Sequence, residues 1–163
     1  RGGGDMEIYL VRHGEAESEL VEPTQPLRER GRADVTRMAS HAARIKVAVA
    51  EIRHSTKLRA KQTAEILAAH LRPVHGVRET DDLEPTYDPG RAQDVIEAAV
   101  EPLMLVGHLP HLARLASLLL TGDPNREIVR FRPGAIARLE RMERGWVLGW
   151  VLTPDIADPG TGC

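Results

Sequence analysis

Aromatic residues are scarce, at 3% of the chain, with one Phe, two Trp and two Tyr. A core of rings is thereby excluded, and Leu, Val, Ile and Ala must fill the interior, a composition that suits helices packed on a buried sheet. Cysteine occurs once, at Cys163, so an intrachain disulfide and a cysteine metal cluster are both excluded. No apolar run approaches the roughly 20 residues of a membrane span, and the glycine-rich start lacks the apolar stretch of a secretory signal. Excess charge is also missing: 22 basic residues face 24 acidic ones, for a net −2. No global field therefore draws nucleic acid or an anionic membrane, and phosphate recognition would have to be local. The basic residues are scattered without interleaved aromatics, against nucleic-acid binding. The expectation is a cytoplasmic protein of one domain over residues 1–163, with loose ends at 1–5 and 158–163.

What the chain does contain is an alternation of apolar runs and helical periods. Met6–Val11 reads as a buried strand that stops at Arg12-His13-Gly14, and the polar stretch from Glu15 to Pro26, with two prolines, as a loop. From Leu27 a helix is expected whose inward face carries Val35, Met38, Ala39, Ala42 and Ile45. Ala48–His54 reads as a strand, and Ser55 as the N-cap of a helix with Ala60, Ala64, Leu67, Ala68 and Leu71 inward, ended by Pro73. A short strand near Val77 and a helix over Ala92–Val100 follow. Leu103–Val106 is a continuous apolar run ending at Gly107-His108, and Pro110 fits the first turn of a helix that runs to Thr121 and stops at Gly122. Ile128–Phe131, Ala135–Met142 and Trp146–Leu152 read as closing strands, the last two joined by a turn at Glu143-Arg144-Gly145. This order predicts a three-layer α/β/α sandwich, a mostly parallel sheet with helices on both faces.

Open α/β sheets bind ligands at the carboxyl ends of their strands. His13 and His108 each follow a strand there, and Arg12 and Arg59 lie at comparable exits. Two cations and two imidazoles at one point repel unless an anion sits among them. A phosphoryl group would supply it: arginine forks match its oxygens, and neighbouring cations hold a histidine neutral and nucleophilic.

The motifs carry a resemblance. Leu10-Val11-Arg12-His13-Gly14-Glu15 resembles the signature of the histidine phosphatase superfamily, the group that includes phosphoglycerate mutases and acid phosphatases. Pro26-Leu27 with Gly31 resembles a second block, Ser55 with Leu58-Arg59-Ala60 and Gln62-Thr63-Ala64 a third, and Val106-Gly107-His108 a fourth. Short length, the Leu105–Leu112 segment and Pro133-Gly134-Ala135-Ile136 look most like its SixA-type phosphohistidine phosphatases. The resemblance implies His13 as the phosphorylated nucleophile, with Arg12, Arg59 and His108 on the phosphoryl oxygens and no metal or other cofactor. One ring nitrogen of His13 is then expected to donate to a backbone carbonyl, fixing the tautomer so that the other keeps its lone pair.

Larger members of the family use an acidic residue after the third block to protonate the leaving oxygen, and Glu84 is the nearest candidate here; it reads equally as a solvated loop carboxylate beside Asp81 and Asp82. Phosphohistidine needs less of such help, because imidazole leaves more readily than an alkoxide. The short loops Glu15–Pro26 and Val74–Gly90 leave a pocket without the caps of mutases, which fits phosphohistidine displayed on a protein. The alternatives are a general phosphatase of small phosphorylated molecules and a phosphate-binding or adaptor module without turnover. Glu15 and Glu17 read as loop charges, His54 as lining the site's edge, and His41, His70, His75 and His111 as structural or exposed. Trp146 and Trp150, at strand spacing with Leu148, read as packing residues.

Overall fold

The structure is a computed structural model that describes residues 6–157. The expected loose ends, with Cys163, lie outside the described residues. Eleven elements follow one another: strand β1 (Glu7–Arg12), helix α1 (Glu29–Arg44), β2 (Glu51–His54), α2 (Leu58–Leu71), β3 (Val77–Glu79), a 3-10 turn at Asp81–Leu83, α3 (Pro89–Ala98), β4 (Leu103–Gly107), α4 (His111–Thr121), β5 (Ile136–Met142) and β6 (Gly145–Leu152). The strands form one six-stranded sheet in the order β3-β2-β4-β1-β5-β6. β3, β2, β4 and β1 run parallel, while β5 pairs antiparallel with both β1 and β6.

Both faces of this sheet are covered, which explains why β1 and β4 read as continuous apolar runs rather than alternating ones. From β1, Ile8 and Leu10 join Leu103 and Leu105 of β4 in a core with α3 and α4, whereas Tyr9 and Val11 join Met104 and Val106 in a second core with α1 and α2. The sandwich expected from the sequence is therefore present, with an antiparallel ribbon, β5–β6, closing one edge. No helix among the described residues is long and apolar enough to cross a membrane.

The expected elements differ from the observed ones in several places. Ile128–Phe131 is not a strand. Val129 and Phe131 are buried with the α3–α4 core, but β4 and β5 already occupy both edges of β1, so the segment packs without a ladder. α1 ends at Arg44, leaving Ile45 as its C-cap and 45% exposed rather than on the inward stripe. α3 begins at Pro89 rather than Ala92, because the Asp88 carboxylate accepts from Gly90 N–H and proline fits a first turn. The strand over 48–54 is confined to its last four residues. Pro110, reached through a cis peptide bond, stands just before α4, and Gly122 ends that helix at φ +82° as expected. The pairing of β5 and β6 slips where Arg138 faces Trp150 and Leu139 faces Leu148, so that Gly149 is extra. The slip sends Trp146 into one core and packs Trp150 against the other, while Leu148 is exposed.

Candidate active site

β1, β4 and β2 lie side by side, and the register pairs Arg12 with Gly107 and His54 with Val106. The next residues along these three strands, His13, His108 and Ser55, must then emerge at the same edge. Backbone bonds extend the ladder beyond the strands: His13 N–H donates to Gly107 O at 3.1 Å and Ser55 N–H to Val106 O at 3.2 Å. Two histidines far apart in the sequence thus stand with ring centroids 4.9 Å apart.

His13 Nδ1 lies 2.7 Å from Gly14 O. A carbonyl accepts only, so Nδ1 carries the proton and Nε2 keeps its lone pair. The loop that supplies this carbonyl is pinned: Gly14 N–H donates to Thr63 Oγ1 at 3.0 Å, and Thr63 Oγ1 donates to Arg59 O at 2.8 Å. A Cβ on Gly14 would meet Val35 Cγ2 at 2.6 Å, so the loop lies directly on α1.

His13 is held neutral, its pKa pushed down to about 4, chiefly by burial and further by the guanidinium groups of Arg59 and Arg12, against the opposing pull of Gly14 O. The cations expected from the sequence to produce this effect are its lesser cause. Desolvation outweighs them here because protein on several sides withdraws water from the ring. His108 is pushed down to about 3, again first by burial, then by His13, Arg59, Lys57 and His111.

Arg12 Nη1 donates to Phe131 O at 2.9 Å, while its Nε is buried with no partner among the described residues. Arg59 sits in the first turn of α2, where its Nη1 reaches Gln25 Oε1 at 3.5 Å. Glu84, after the 3-10 turn, is 9% exposed and so is not the solvated loop carboxylate that the sequence left open. Its Oε1 accepts from Thr56 N–H at 3.0 Å and from Thr56 Oγ1 at 2.6 Å, and its Oε2 lies 3.8 Å from Lys57 Nζ. The site therefore sets the Arg12 and Arg59 guanidinium groups beside a neutral, oriented imidazole. Such a set can grip an anion by its oxygens and present a nucleophile to its centre. No three His, Cys, Asp or Glu side chains among the described residues are grouped to hold a metal ion.

The family model described as histidine phosphatase superfamily (branch 1) matches residues 8–86. The match takes in the Arg12-His13 and Arg59 motifs, and the chain is similar to that superfamily. Its reaction class is that of a phosphatase with a histidine nucleophile. Among solved structures, the protein histidine phosphatase SixA complexed with tungstate is 25% identical, with a TM-score of 0.79 over 92% of this chain and 98% of that one. A protein from Nakamurella multipartitia that carries the SixA name is 22% identical, with a TM-score of 0.77 over 94% and 99%. An alpha-ribazole phosphatase from Shigella flexneri is 15% identical, with a TM-score of 0.73 over 91% and 97%. No curated protein matches the sequence.

In this phosphatase several supporting residues escaped the sequence reading. Ser55 is not an N-cap: Lys57 holds that position without a side-chain bond, and the fully buried Ser55 hydroxyl lies 2.5 Å from His108 Nε2. A serine before a helix is most often a cap, so only the pairing of β2 with β4 reveals the other partner. Gln62 accepts from Leu27 N–H at 2.8 Å and so ties the loop after His13 to α2. Arg28 pairs with the loop charges Glu15 and Glu17. Among the remaining histidines, His54 is buried with Nδ1 2.7 Å from Ser55 O, and His111 is fully buried with neither ring nitrogen partnered among the described residues.

Proposed function

We propose that the phosphatase removes phosphate from phosphohistidine on a protein, by way of a phosphohistidine formed on its own His13. The observation that carries this reading is the His13 ring, neutral and oriented by Gly14 O, beside His108 and within the fields of Arg12 and Arg59. In-line attack by Nε2 of His13 on phosphorus breaks the bond to the leaving imidazole, which takes up a proton. Arg12, Arg59 and His108 hold the phosphoryl oxygens as charge shifts among them. Water then attacks the phosphorus, and His13 leaves as the neutral ring.

Access supports a protein-borne substrate. Beside Glu84 lies a cleft of about 450 Å³, lined by Thr56, Lys57, Asp81, Glu84 and Tyr87 among others and open to solvent. Among the described residues no helix or strand interrupts the connection between β1 and α1 to build a cap over the site. Among the similar structures one is a protein histidine phosphatase and another an alpha-ribazole phosphatase, so fold alone does not choose the substrate.

One observation favours a second reading, hydrolysis of small phosphate esters: the enclosed Glu84 carboxyl, fixed by Thr56, lines that cleft and would serve as the proton donor to an alkoxide. A panel of a phosphohistidine protein, a phosphoramidate and sugar phosphates separates the two. The first reading expects the phosphohistidine protein to be preferred and Glu84→Gln to leave that rate within about threefold, while ester hydrolysis falls about a hundredfold, as loss of a general acid requires. Equal rates on all donors, or an equal loss on all in Glu84→Gln, would overturn it. A phosphate-binding or adaptor module would release no phosphate from any of them.

A further inference from the structure

The Ser55 hydroxyl is fully buried and has two neighbours: Lys57 N–H, which donates to Oγ at 3.3 Å, and His108 Nε2 at 2.5 Å. The backbone amide can only donate, so the hydroxyl hydrogen has one acceptor within reach, the Nε2 lone pair. Were Nε2 protonated instead, the hydroxyl would accept twice and its own hydrogen would be buried without a partner, an unfavourable arrangement in a dry site. A neutral His108 that accepts at Nε2 must carry its proton at Nδ1. Nδ1 is itself buried and has no partner among the described residues. Two apparently separate facts, a short hydroxyl contact at one nitrogen and an orphan at the other, thus have one explanation if an anion completes the pair.

We propose that Ser55 is a positioning residue which holds neutral His108 in its Nδ1–H form, so that Nδ1 donates to an oxygen of the bound phosphoryl group. The inference rests on the phosphatase reading above and adds to it the protonation state and orientation of His108. The two histidines then have separate tasks. His13 carries its proton on Nδ1 against Gly14 O and leaves Nε2 free to attack, whereas His108 uses Nε2 for orientation and Nδ1 as donor. Burial, which disfavours the imidazolium, supports a neutral donor at position 108. A ring free to exchange its two forms would offer a lone pair to the phosphoryl oxygen part of the time, and that contact is repulsive.

Nitrogen-15 spectroscopy of the histidine rings in the whole protein tests this directly, with the His108 signals assigned by their loss in His108→Asn. At pH 7 the expected state of the wild type is a protonated Nδ1 and an unprotonated Nε2, with the Nδ1–H signal shifting when inorganic phosphate is added. In Ser55→Ala the two forms should mix, and kcat/KM on a phosphoramidate should fall about tenfold to a hundredfold, the range seen when a group that orients a functional imidazole is removed. A proton on Nε2 of the wild type, or on both nitrogens, would overturn the proposal without needing any variant to fold. So would a Ser55→Ala protein with unchanged rate. Those results, in an enzyme that binds phosphate and turns over, would leave the phosphatase reading intact. No phosphate binding and no turnover in the wild type would overturn both.

Discussion

His13 illustrates how a single side chain is prepared for chemistry before any substrate arrives. Its ordinary pKa of 6.5 is pushed down to about 4, mainly because burial disfavours the charged ring. On the proposed mechanism the reactive form is the neutral one, so the sign is set: protonation would remove the nucleophile, and activity would be lost as pH falls through the lowered value. The rate of hydrolysis of an aryl phosphate ester, followed against pH, should hold from pH 7 to near pH 5 and drop on an acid limb centred near 4. A limb near the ordinary value would mean that the ring is solvated in the working enzyme. The arginines, on which a sequence argument naturally concentrates, deepen this effect but are not its main source. Burial of a ring is a property of three-dimensional packing, and no motif carries it.

Among the elements, the loop after β1 and the helix α1 are fitted to each other at two glycines. Gly31 lies in the first turn of α1, and a Cβ there would come 2.1 Å from Glu15 O, an approach no real side chain tolerates. Replacing a helical glycine by alanine ordinarily stabilises by about 0.5–1 kcal/mol. Here the sign reverses. Gly31→Ala should destabilise by roughly 1–3 kcal/mol, the cost of overpacking a well-filled site, and should lower activity as the Glu15 backbone moves and the Gly14 carbonyl with it. Thermal unfolding and phosphoramidate hydrolysis measured together check both effects; a melting temperature at or above that of the wild type would contradict the close fit.

This scale also separates what could be read from the residues from what could not. β1 and β4 were legible because strands covered on both faces must be apolar throughout, and the ends of α2 and α4 were legible from Pro73 and Gly122. The start of α3 was hidden because Pro-Gly reads as a breaker, although Asp88 in front of it makes a start. Ile128–Phe131 has a strand composition, but β4 and β5 already take both edges of β1, a property of topology. The convergence of His13 and His108, with Arg12 and Arg59 nearby, is legible at strand exits and in motifs, whereas the Ser55 contact with His108 is not, because its local signal is that of a cap.

For the molecule as a whole, three neutral histidines, His13, His108 and His111, share one acid liability. Each has a lowered pKa, to about 4, about 3 and about 4 respectively, with burial as the first cause. In the unfolded chain each titrates near 6.5. Above that value both states are neutral and nothing is gained or lost. Below it the unfolded chain binds protons that the folded one refuses, so stability falls as pH drops from about 6.5 towards 4, by up to about 1.4 kcal/mol per pH unit for each ring. Denaturant midpoints measured from pH 7 to pH 4 should decline accordingly, and His111→Phe, which replaces a fully buried unpartnered ring, should flatten the decline. An equal slope in that variant would show that His111 does not titrate with unfolding.

The same enclosure that makes the fold sensitive to acid keeps the nucleophile neutral at working pH, so stability and chemistry draw on one feature. The most direct test of the account is to trap the enzyme during turnover of an isotope-labelled phosphoramidate, quench in alkali, where phosphohistidine survives, and map the label by peptide. The account predicts label on His13 in the wild type and none in His13→Ala. Label on His108, or turnover that continues in His13→Ala, would contradict it.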